Sequence, residues 1–150
     1  MKKKFLAVVL GAAMTLSMAA CGAGDSKSST ESGSKSGSDF KVGIVLDVGG
    51  VNDGSFNQTS WEGLQKAEKE LGIQASYLES DSDGDYAANI ENFIDDDCDL
   101  IICVGYMLAD ATKTAAEENP DQKFAIIDDA TIDLDNVACL MFEQEQASYL

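Results

Sequence analysis

Residues 41–46 (KVGIVL) carry Val42, Ile44, Val45 and Leu46 in an almost unbroken apolar run. A continuous run, rather than an alternating one, marks a strand covered on both faces, as parallel strands are. Asp47 closes it, and Gly49, Gly50 and Gly54 mark a loop. Ser55-x-x-Gln58 has the spacing of a capping box and predicts a helix start. Trp61, Leu64, Ala67 and Leu71 then recur on one helical face, and Gly72 stands where a helix stops. The cycle repeats. Residues 73–78 (IQASYL) predict a strand, and Asp85 predicts the cap of a helix over 86–95 with Ala88, Ile90 and Phe93 as apolar positions. Asp95, Asp96 and Asp97 end that helix against its dipole. Residues 100–104 (LIICV) predict a buried strand closed by Gly105-Tyr106, and 108–118 a helix stopped by Asn119-Pro120. Strands follow at 123–127, ending in Asp128-Asp129, and at 136–142 (NVACLMF), with a helix starting from Glu143.

The predicted order, β-α-β-α-β-α-β-β, implies an α/β fold: a parallel sheet flanked by helices and joined by right-handed crossovers. Ligands of such sheets bind outside the carboxyl ends of the strands. That rule puts Asp47, Asn52, Asp53, Ser55, Phe56 and Asn57 on the first candidate ligand loop. Gly105, Tyr106 and Asp128, at later strand ends, can converge on the same crevice. Asn52 and Asp53 are expected to shape the turn. The acidic stretch ESDSDGDY fails as a calcium loop: counted from Asp81, position six is Tyr86 and position twelve is Asn92. It reads as a solvated turn ahead of a helix.

The start of the chain is organised differently. Lys2, Lys3 and Lys4 precede a short apolar run that ends in Ala19 and Ala20 before Cys21, the layout of a bacterial secretory signal over residues 1–20. Met18-Ala19-Ala20-Cys21 is similar to a lipobox, which makes Cys21 the expected lipidation site. Residues 21–39 then hold the lipidated cysteine and a Ser/Gly-rich tether without a large apolar side chain until the domain begins at residue 40. The expectation is a domain anchored at the extracytoplasmic face of the cell membrane.

Charge narrows the partners. The net charge is -17, and removing Lys2, Lys3 and Lys4 with the signal takes it to -20; the sequence contains no arginine. Only seven lysines then remain, which argues against a nucleic-acid partner, because phosphate neutralisation needs Lys or Arg, and a neutral or cationic small molecule fits better than a phosphate-rich one. With no histidine and no CxxC spacing, Cys98, Cys103 and Cys139 predict neither a metal nor a redox site. They read as buried, inert side chains, with a Cys98–Cys103 bridge as the alternative. No cofactor motif, nucleophile elbow or phosphate loop is present. Asp47 and Asp128 admit an acid–base pair in principle, but binding is the stronger reading, and no enzyme is expected.

The segments GIVLDVGGVNDGSFNQTSWEGL, ESDSDGDYAANI, DLIICVGY, NPDQKFAIIDD and NVACLMFEQEQASYL, in this order, resemble the basic membrane protein family. These are substrate-binding lipoproteins of ABC transporters, with the purine nucleoside receptor type as best-known members. The resemblance covers residues 41–150 and is most specific at NDGSFNQ. It implies a type I periplasmic-binding-protein-like fold of two lobes with ligand closed between them, of which residues 40–150 would be an N-terminal lobe, cut short. It also implies ABC permease subunits as partners. Phe56 would stack on a nucleobase, while Asp47 and Asp128 would accept hydrogen bonds from base or ribose. Ser55 and Asn57 would orient the loop or touch the ligand, and Gly105 and Tyr106 would form the crevice wall. Val48 and Gly54 depart from the family's usual polar residue and lysine. Alternatives of other kinds are a sugar or autoinducer receptor and a surface signalling lipoprotein without a transport role.

Overall fold

The computed structural model describes residues 39–148. The predicted signal, Cys21 and the tether up to residue 38 lie outside the described residues. Five parallel strands form one sheet: β1 (Lys41–Val45), β2 (Gln74–Leu78), β3 (Leu100–Val104), β4 (Phe124–Ile127) and β5 (Val137–Leu140), in the order β2-β1-β3-β4-β5. The helices are α1 (Phe56–Leu71), α2 (Tyr86–Asp95), α3 (Ala109–Glu118) and α4 (Gln144–Ser148).

The strand sequences dictate two apolar layers. Side chains alternate across a strand, so Val42, Ile44 and Leu46 fall in one cluster with Val104, Leu64 of α1 and the partly buried Trp61. Val45, Ile101, Cys103, Phe124 and Ile126 face the other way, against Tyr86, Ile90 and Phe93 of α2 and Ala116 of α3. Gly43 is what lets α2 lie on β1: a Cβ there would come within 2.5 Å of the Phe93 ring.

Several details differ from the sequence reading. Leu71 is 65% exposed, and Ile73, past the left-handed turn at Gly72, packs into the α1-side cluster instead. Ala88 is exposed on α2. Asp85 does not cap α2; its carboxylate accepts from the Ser82 amide at 2.8 Å and hydroxyl at 3.0 Å, closing a separate one-turn helix over Asp83–Asp85. The acidic end of α2 is answered by Lys41, whose Nζ donates to the Asp96 carbonyl at 2.9 Å, a cation where the helix dipole favours one.

The three described cysteines are free, so Cys98 and Cys103 are not bridged. Burial pushes both thiols up, Cys103 to about 12. Cys139 is half-buried rather than buried, because β5 is an edge strand, and its Sγ donates to the Ile132 carbonyl at 3.4 Å. No helix among the described residues is long and apolar enough to cross a membrane.

Candidate functional site

From β1 the chain crosses through α1 to β2 on one side, then returns through α2 to β3 on the other. The carboxyl ends of β1 and β3 therefore flank the switch point, the place where sheets of this kind take their ligands. Asp47 stands on one bank, Gly105 and Tyr106 on the other. β3 separates β1 from β4, so Asp128 joins the same rim two strand spacings from Asp47, roughly 10 Å away.

Asp47 is half-buried and held on one side only. Its Oδ1 accepts from the Gly49 amide at 2.8 Å and from Asn57 Nδ2 at 2.6 Å. Its Oδ2 faces Gly105, where a Cβ would come within 3.2 Å of it. Gly105 has φ +95, which L side chains rarely adopt, and its amide donates to the Ile127 carbonyl at 3.0 Å. A side chain at residue 105 would crowd the second Asp47 oxygen, and glycine avoids this.

Phe56 opens α1 and is 41% exposed. Its ring leans on Phe142, with centroids 5.7 Å apart and planes at 56°. Together with Ser55, Thr59 and Ser60 the two rings line a shallow groove of about 290 Å³. Tyr106 is 66% exposed. Asp128 is half-buried with φ +66, and its Oδ1 accepts from Gln144 Nε2 at 3.3 Å. Its neighbour Asp129 is buried and engaged within its own turn, accepting from the Thr131 amide and hydroxyl at 2.8 Å each. Of the two carboxylates closing β4, Asp128 is the one at the rim.

Two expectations for the loop change. The predicted capping box is absent: Ser55 occupies the cap position without a side-chain capping bond, and Gln58 donates instead to Glu62 at 2.9 Å. Asp53 does the capping. Its carboxylate accepts from the amides of Ser55 at 2.8 Å, Gln58 at 3.0 Å and Asn57 at 3.1 Å. Partial burial pushes this carboxyl up, but the backbone donors of Gln58, Ser55 and Asn57 together outweigh it and hold it below its ordinary value. Asn57 is fully buried; it orients Asp47 rather than reaching the opening. Its Oδ1 has no hydrogen-bond partner.

Sequence reasoning missed Phe142 and Glu79. The apolar run 136–142 predicts Phe142 as a strand residue, but β5 ends at Leu140 and frees it for the rim. Glu79, in a stretch read as solvated, accepts from the Val51 amide at 2.7 Å. Among the described residues, the loops at this edge carry Asp47, Asp53, Glu79, Asp81, Asp128 and Asp129 and no lysine. No group of His, Cys, Asp and Glu there is arranged to hold a metal ion.

A family model for Bmp, described as ABC transporter substrate-binding protein PnrA-like, matches residues 40–150. The chain belongs to the Bmp family. The whole chain is 40% identical to a Listeria innocua protein named CD4+ T-cell-stimulating antigen, covering 44% of it. It is 36% identical to the ABC transporter nucleoside-binding protein BmpA of Lactococcus lactis subsp. cremoris, covering 43% of that protein. This Bmp chain thus spans less than half the length of the curated relatives it matches. A solved ABC transporter solute-binding protein from Aeropyrum pernix K1 superposes with a TM-score of 0.66 at 35% identity, over 73% of this chain and 30% of the other. The described residues of this Bmp chain share the fold of the matching part of that protein.

Proposed function

We propose that the chain supplies one wall of a purine-nucleoside site in an extracytoplasmic solute-binding lipoprotein, anchored through Cys21 and delivering ligand to an ABC permease. The observation that carries the reading is the pairing of an exposed aromatic ring, Phe56, with the half-buried Asp47 carboxylate, whose two holding bonds both fall on Oδ1. A purine ring offers a flat π surface and N–H donors, and those two features answer them. Stacking on Phe56 is worth on the order of 1–3 kcal/mol. Asp128 and Tyr106 extend the rim toward the ribose hydroxyls. The absence of a lysine from the described rim loops favours an unphosphorylated ligand over a nucleotide. The nucleoside-binding name of the Lactococcus relative points the same way.

Calorimetric titration of the full-length mature protein with inosine, guanosine and adenosine tests the proposal. Saturable heat with at least one nucleoside, abolished or strongly weakened in Phe56→Ala, is expected. Heat with sugars and none with any nucleoside overturns the ligand class.

A further inference from the structure

We propose that Glu79 is a positioning residue for the ligand-facing loop, holding its middle in the conformation that presents Asp47 and Phe56. The inference rests on the binding reading above.

The loop from Asp47 to Ser55 is secured at its two ends by carboxylates that belong to it. Asp47 holds Gly49, while its main-chain oxygen accepts from the Gly50 amide at 3.2 Å. Asp53 holds the start of α1. Between these ends Glu79 reaches in from the end of β2, twenty-eight positions away in sequence, and accepts from Val51 N at 2.7 Å.

Glu79 is itself fixed from behind. The β1–β2 pairing runs on through the Leu46 amide to the Leu78 carbonyl at 2.9 Å, so residue 79 emerges beside Asp47. Asn89 of α2 donates through Nδ2 to the Glu79 carbonyl at 3.1 Å and to the hydroxyl of the buried Ser80 at 3.0 Å. The loop leaves room for the carboxylate. Gly50 has φ +71, and a Cβ there would lie 3.1 Å from Glu79 Oε1. α2, the end of β2 and the binding loop thus form one chain of contacts, with Glu79 as its last link.

The test uses the full-length protein and three variants, with inosine as probe. Glu79→Ala removes the acceptor and is expected to weaken inosine binding about ten-fold and to speed hydrogen exchange at the Val51 amide by a similar factor, with no more than a small fall in Tm. Glu79→Gln keeps an acceptor oxygen at the same reach and is expected to restore both readouts to near wild type. Glu79→Asp keeps the charge but falls one methylene short, and is expected to behave like alanine. Normal affinity and normal Val51 exchange in Glu79→Ala overturn the proposal. So does a pattern in which aspartate rescues and glutamine does not, since charge rather than position would then matter. If wild-type protein binds no nucleoside, the ligand reading fails, while Val51 exchange still decides whether Glu79 holds the loop.

Discussion

Replacing Asp53 with alanine removes one side chain that serves three backbone donors at the start of α1. Two of them, Ser55 and Gln58, lie on Oδ1, and Asn57 lies on Oδ2. Losing an N-cap acceptor costs about 0.5–2 kcal/mol, and losing a negative charge beside a helix N-terminus adds about 0.3–1 kcal/mol. With three amides released together, about 2 kcal/mol is expected for Asp53→Ala. Asp53→Asn keeps an oxygen for Ser55 and Gln58 but turns an amide group toward Asn57 N–H, so about half that loss is expected. Ser55→Ala should cost less than about 0.5 kcal/mol, because the Ser55 hydroxyl makes no capping bond. The pH dependence follows from the lowered carboxyl. A depressed folded-state value contributes stability that is fully present above the unfolded value, about 3.9 for Asp, and is lost as pH falls through the folded one. The gap between wild type and Asp53→Ala should therefore be widest near neutral pH and should narrow as acid protonates the wild-type side chain. Urea unfolding followed through Trp61, the single tryptophan of this sequence and part of α1, reads the effect. A Ser55→Ala loss larger than that of Asp53→Ala, or a gap that does not narrow in acid, refutes the assignment of the cap.

Phe56→Ala should lower affinity for the best nucleoside by about five- to a hundred-fold without changing Tm, measured by calorimetry and thermal unfolding; an unchanged affinity removes the ring from the site. Gly43→Ala forces a methyl into the Phe93 ring and should destabilise the protein by about 1–3 kcal/mol, read as a shift in the urea midpoint. Among the described cysteines, an aromatic disulfide reagent at mildly alkaline pH should modify Cys139 first. Cys103, fully buried and pushed up to about 12, should react only on unfolding, and prompt reaction of Cys103 in the native protein would contradict its burial.

Much of the fold was legible because strand and helix signals are local. Runs such as LIICV and KFAII need two covered faces, and Gly72 and Asn119-Pro120 stand where α1 and α3 stop. Those features were enough to predict the parallel sheet and to place Asp47, Phe56, Gly105, Tyr106 and Asp128 at strand ends or on the loops beyond them. They also make the Asp47–Asn57 loop the candidate ligand loop.

What tertiary structure alone decided is which polar group meets which. Asp53, Ser55 and Gln58 lie within a few residues of each other, and pattern favoured the Ser–Gln box, but the backbone turn brought the Asp53 carboxylate beneath three amides. Asn57 was buried because its amide closes on Asp47. Glu79 reached the rim from β2, the neighbour of β1 in the sheet, and Phe142 from beyond β5 at the far edge. Periodicity carries the burial of each element along its own length. Contacts between loops depend on strand order and register, which no single stretch of the chain contains.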